Sequence, residues 1–125
     1  MYTSPKSRAA SAYKRMHVET GFNPEDKHQI VDMLLDGVLQ TLTEARGAIQ
    51  RGDVLTKVHA IGKAVRIIEE GLKTSLDKQE GGDLAQNLEG LYGYCTMRLA
   101  LANARSDEAI VEEVAQLIGE IASAW

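Results

Sequence analysis

Residues 53–76 read DVLTKVHAIGKAVRIIEEGLKTSL, and within them Val58, Ile61, Val65, Ile68, Leu72 and Leu76 recur at intervals of 3, 4, 3, 4 and 4. Such intervals return to one face of a helix, whereas a half-buried strand would alternate at every second residue. An amphipathic helix is therefore predicted from Asp53, a natural N-cap, to Asp77. Upstream, Arg51-Gly52-Asp53 is a stop signal that closes a second helical stretch beginning near Pro24, since proline is tolerated in a first turn. Downstream of Gly81-Gly82 a third helix is predicted from Asp83 to Ala104, with Leu84, Leu88, Leu91, Cys95 and Leu99 as its core stripe. Ser106 or Asp107 can cap a fourth, whose Val111, Val114, Ile118, Ile121 and Trp125 are spaced 3, 4, 3 and 4. Short connections make consecutive helices antiparallel neighbours. The prediction is an all-α, antiparallel four-helix bundle with helices at 24–51, 53–77, 83–104 and 106–125. Residues 1–125 are taken as one domain, residues 1–23 forming an arm with a short, mobile helix near Arg8 to His17.

Composition narrows the class of function. A chain of 125 residues and 13.7 kDa suits one core. Eighteen acidic against 14 basic residues give a charge of −4, without the basic surplus that nucleic-acid binding requires, so no nucleic-acid partner is expected. The lone Cys95 allows neither an internal disulfide nor a thiolate zinc cluster, which fits a reducing compartment. Met1 to His17 lacks the apolar stretch of a secretory signal. Apolar runs such as Leu99 to Ala102 reach about four residues, far below the ~20 that span a bilayer. A soluble, cytoplasmic protein with no membrane insertion is expected.

Catalytic constellations are sparse. His17, His28 and His59 are dispersed over different elements, and no phosphate-binding loop, nucleophile elbow or zinc-protease motif occurs. Glu25 and His28 satisfy the Glu-x-x-His spacing of di-iron bundles, but that site needs two copies and the second is missing. His28, Asp32 and Asp36 share a face that reads as solvated. No metal, cofactor or enzymatic activity is predicted. One chemical alternative stands, a histidine phosphotransfer domain using His59: His59-Ala60-Ile61-Gly62-Lys63 resembles that family's site, although the family places Lys before Gly. A purely structural helical-bundle adaptor is the other.

Two features ask for more than a plain bundle. Gly37, Gly62, Gly71, Gly90 and Gly93 lie inside predicted helices, where each costs up to ~1 kcal/mol relative to alanine. Either helices approach closely at these points, or glycine opens a groove in which another helix can settle. In the third helix Gly90, Tyr94, Met97 and Leu101 form a row about 100° from the predicted Leu91 core stripe. In the first, Ile30-Leu34-Gly37 and Val31-Leu35-Val38-Leu42 both read as apolar rows. The candidate groove residues are Leu35, Gly37, Val38, Ala64, Ile67, Gly71, Gly90, Tyr94, Met97 and Leu101. Bundle core is the alternative for each, because periodicity does not say which of two adjacent stripes faces inward.

Several segments in order resemble one family. Met1-Tyr2-Thr3, Ala12-Tyr13, Met33 to Gly37, Ala64 to Leu72, Gly81 to Leu88, Leu91 to Tyr94, Arg98-Leu99, Asn103 and Ile121 to Trp125 are together similar to the FliS family of flagellar secretion chaperones. The resemblance implies an export chaperone that binds the disordered C-terminal segment of flagellin in the cytosol, prevents premature polymerisation and delivers it to the export gate protein FlhA. Ala10, Tyr13 and Met16 would then belong to an N-terminal cover that also docks on the gate. Ala10 stands where the family usually carries a larger aliphatic residue, and the proline that commonly precedes helix one lies earlier here, at Pro24. FliW is a further implied partner. An empty groove also predicts weak pairing of two copies when client-free. Asp36, Arg98 and Asn103 are read as braces rather than client contacts.

Overall fold

The computed structural model describes residues 26–76 and 78–125, without the side chains of residues 78–80. The arm expected over residues 1–23, and with it Ala10, Tyr13 and Met16, lies outside the described residues. The all-α expectation holds: the described residues form four helices and no strand.

Helix α1 spans Lys27–Arg51 and starts where the Asp26 carboxylate accepts the backbone N–H groups of His28 and Gln29. It ends at Gly52, whose φ of 71° is a left-handed conformation that only glycine adopts without strain. Helix α2, Val54–Arg66, follows at once, capped by Asp53 through the backbone and hydroxyl of Thr56. Those two bonds hold the Asp53 carboxyl below the usual carboxylate range. Helix α3 spans Lys78–Arg105 and kinks at Gly82, where φ 52° and ψ −127° admit no ordinary side chain. Helix α4, Glu108–Ala124, is capped by Asp107. Each cap satisfies N–H groups that a helix start otherwise leaves bare.

The helix predicted over 53–77 is not one α-helix. From Ile67 to Leu72 it widens into a π-helical turn, and the Lys73 N–H reaches back to the Ile68 carbonyl at 2.9 Å. A π turn carries one residue more than an α turn, and Ile68 and Leu72 are both buried within it.

Helix α1 packs on α2, on the π turn and on α4, while α3 packs on the same three from the opposite corner. Leu35, Val38 and Leu42 meet Ile61, Ile68, Leu72, Tyr92, Cys95, Leu99, Val111, Val114 and Ile118 in one core. Both apolar rows of α1 point largely inward, because this helix is covered on two sides and its buried arc is correspondingly wide. The core stripe of α3 also differs from the sequence reading. Ala85, Leu88, Tyr92, Cys95, Leu99 and Ala102 face the core, whereas Leu91 is half-buried and Leu84 is 65% exposed. Val58, expected in the α2 stripe, is likewise exposed at the end of its helix.

Two contacts close the ends of the bundle. Lys57, buried on α2, donates from Nζ to the Asn103 carbonyl at 2.9 Å and to Ser106 Oγ at 2.7 Å, pinning the α3–α4 turn. Ser106 holds a left-handed φ of 49°, a strained conformation for a residue with a Cβ. At the other end Trp125 Nε1 donates to the His28 carbonyl at 3.0 Å, His28 Nε2 donates to the Trp125 carbonyl at 2.8 Å, and the two rings stack.

Candidate functional site

Burial divides the ten groove candidates. Leu35, Val38 and Ala64 have no exposed surface. They are core residues and offer nothing for a partner to touch, which corrects their assignment as groove contributors. Gly71, half-buried in the π turn, is held by packing: a Cβ there would stand 2.9 Å from Leu34 Cδ2 and 3.2 Å from Leu34 Cδ1, so the missing side chain lets the π turn approach α1. Gly37 sits against Ile67, with 3.7 Å between its would-be Cβ and Ile67 Cδ1, and both are half-buried where α1 meets the π turn.

The row on α3 behaves differently. Gly90 is exposed, and a Cβ built on it would meet nothing within 4 Å, so bundle packing does not require glycine there. One and two turns on, Tyr94 is 38% and Met97 61% exposed, and Leu101 packs partly against the core. The heptad arithmetic of residues 90, 94, 97 and 101 places them on one edge of α3, of which Gly90, Tyr94 and Met97 are open to solvent. The Tyr94 hydroxyl donates to Glu113 Oε2 on α4 at 2.7 Å, which locates this edge beside the α3–α4 seam. Apolar surface so disposed is the kind a partner helix covers.

The other side of α3 is polar in its middle. Glu69 Oε1, in the π turn, accepts from Lys73 Nζ at 3.1 Å and from Thr96 Oγ1 at 3.0 Å. Towards the start of α2 the surface becomes apolar again, with Val54, Leu55 at 84% exposure, and Val58. Sequence reasoning missed Val54 and Leu55.

Of the three expected braces two are seen in contact, Arg98 through its side chain and Asn103 through its backbone carbonyl. Arg98 Nε donates to Glu113 Oε1 at 2.8 Å, and the Asn103 carbonyl receives Lys57, while Asp36 is exposed on α1. His59 and Lys63 are both exposed on the outside of α2. Cys95 lies in the core, and burial, with a smaller contribution from the Glu113 charge, pushes its thiol up to about 11. Among the described residues no three His, Cys, Asp or Glu side chains converge as metal ligands, and no helix is long and apolar enough to cross a membrane.

The described residues thus form a helical bundle with Gly90, Tyr94 and Met97 open to solvent along one edge of α3. The sequence matches the family model described as "Flagellar protein FliS" over residues 9–125. It is 42% identical to the flagellar secretion chaperone FliS of Salmonella typhimurium (strain LT2), across 100% of this chain and 90% of that protein. It is 40% identical to FliS of Escherichia coli K12, across 95% and 88% of the two chains, and 37% identical to flagellar secretion chaperone FliSB of Pseudomonas aeruginosa, across 94% and 93%. The chain belongs to the FliS family of flagellar secretion chaperones.

Proposed function

We propose that this chain is an export chaperone that binds the disordered C-terminal segment of flagellin in the cytosol, masks it against premature polymerisation and delivers it to the export gate protein FlhA. The observation that supports this most directly is the uncovered row Gly90, Tyr94 and Met97 on α3, beside a bundle whose core is already complete without it. A segment that is disordered alone and helical when bound would lay an apolar face on that row. Its burial contributes about 25 cal/mol per Å² against the cost of ordering the client. No bond-making step is involved. Residues Ala10, Tyr13 and Met16 are the proposed cover of the empty groove and the part that docks on FlhA, and FliW and a second copy of this chain are proposed competitors for the client-free form.

The test is isothermal titration of the intact protein with a peptide of the C-terminal helical segment of flagellin from the same bacterium, with circular dichroism on the mixture. The expected result is one-to-one binding with a gain of helix and a negative heat-capacity change. Met97→Glu and Gly90→Leu should weaken it at least about tenfold, ~1.4 kcal/mol, without lowering the urea midpoint of the free protein. Absence of saturable binding, by the intact chain and again after removal of residues 1–17, overturns the reading.

A further inference from the structure

Tyr94 is tethered across the helix seam. Its hydroxyl donates to Glu113 Oε2, and Arg98 Nε, one turn further along α3, donates to Glu113 Oε1. A single carboxylate on α4 thus receives one donor from α3 on each oxygen, a charge-assisted arrangement stronger than neutral hydrogen bonds. The Tyr94 ring spans the distance between the two helices, and its exposed part lies in the same row as Gly90 and Met97.

We infer that Glu113 is a positioning residue for the α3 face, fixing the Tyr94 ring and the Arg98 guanidinium in the arrangement that a partner helix meets. This rests on the chaperone reading above. Two physical consequences follow. A side chain already held in one rotamer has less ordering cost left to meet on binding. A guanidinium already paired with a carboxylate can be covered by an apolar partner without leaving an unpaired charge behind. The electrostatics run in the same direction: donors from Tyr94 and then Arg98 hold Glu113 below the usual glutamate range, and the same bond holds the Tyr94 hydroxyl above the usual phenol value.

The test uses the full chain and a fluorescein-labelled peptide of the flagellin C-terminal segment, read by anisotropy alongside urea unfolding. Glu113→Ala and Tyr94→Phe are each expected to weaken binding roughly three- to tenfold, the range of one hydrogen bond. The double variant should bind no more weakly than the worse single one, because both remove the same link. Glu113→Gln, whose single amide oxygen can still accept from Tyr94 but whose NH2 cannot accept from Arg98, should recover only part of the loss. A merely bracing Glu113 would shift the urea midpoint and leave this affinity pattern absent. Additive losses, or affinities equal to the parent's in Glu113→Ala, overturn the inference. NMR titration of 13Cζ-labelled tyrosine checks the link without any client. Tyr94 should titrate above the ordinary value of 10.0 in the intact chain and return towards it in Glu113→Ala. An ordinary titration in the intact chain overturns the inference whatever the peptide does. Failure to bind the peptide, by the intact chain and again after removal of residues 1–17, overturns the chaperone reading and this inference together, and differs from the case in which the chain binds and its Glu113 variants bind equally well.

Discussion

Glycine to alanine should have opposite signs at two positions only nineteen residues apart. At Gly90 a methyl meets nothing within 4 Å, so the substitution leaves packing unchanged and removes the conformational penalty of glycine in a helix. A gain of about 0.5–1 kcal/mol is expected. At Gly71 the same methyl would stand 2.9 and 3.2 Å from the two Leu34 methyls. Leu34 is itself buried among core residues, so it can retreat only by pressing on them. Overpacking of that kind costs about 1–3 kcal/mol, which exceeds the helix-propensity gain. A net loss of roughly 1–2 kcal/mol is expected. With an unfolding entropy of about 2.1 cal/mol/K per residue, each kcal/mol moves Tm by about 4 °C in a chain of this length. Urea and thermal unfolding followed at 222 nm would separate the two variants cleanly. If Gly71→Ala were as stable as the parent, the close approach of the π turn to α1 would not be what fixes glycine there.

Lys57→Met keeps the apolar stem but removes the donor shared by the Asn103 carbonyl and Ser106 Oγ, in a turn where Asn103 Oδ1 is already buried without a partner. A loss of about 1–3 kcal/mol in urea unfolding is expected, and a loss below ~0.5 kcal/mol would mean the turn holds itself. Glu113 titrates below its ordinary 4.5 because it accepts from Tyr94 and Arg98, so its stabilisation is present above that value and fades as pH falls through the lowered one. The difference in urea midpoint between the parent and Glu113→Gln should therefore narrow from pH 6 down to pH 3, and a constant gap contradicts the assignment. Cys95, with its thiol pushed up to about 11, is about one part in a thousand thiolate at pH 8. It should react with a thiol reagent such as Ellman's only once urea unfolds the bundle, and prompt reaction in the folded protein would show that the core opens locally.

Much of the fold was legible because capping and spacing are local. Asp53, Asp107 and Gly52 mark their helix ends by side-chain and backbone chemistry that acts within a few residues. What escaped was anything decided by which helices become neighbours. The α3 stripe was drawn through Leu84 and Leu91 because leucine outweighs alanine in any hydropathy pattern. Yet Ala85 and Ala102 are the residues small enough to sit where α3 meets the bundle, with Tyr92 filling the space between. The same ambiguity put Leu35, Val38 and Ala64 in the groove. A helix with two adjacent apolar stripes can bury either or both, and α1 buries both because it lies between α2 and α4. On α3 the second stripe does stay outside, so the row containing Tyr94 and Met97 could be read from spacing. Glu113 could not, since nothing local to α4 indicates that Tyr94 and Arg98 will lie opposite it.

The stacked pair of His28 and Trp125 gives the protein an optical handle. Trp125 is its sole tryptophan, and its indole N–H is engaged by the backbone of the first turn of α1. Emission excited selectively in indole therefore comes from one place, the junction of the first and last described helices. Separation of α4 from α1 would free the indole N–H and remove the His28 ring stacked on it, changing the emission, whereas a partner seated on α3 with that junction intact would leave the spectrum where it was. Client loading and bundle opening, which circular dichroism would report as overlapping changes in helix content, would thus be told apart by an intrinsic chromophore, with no label added.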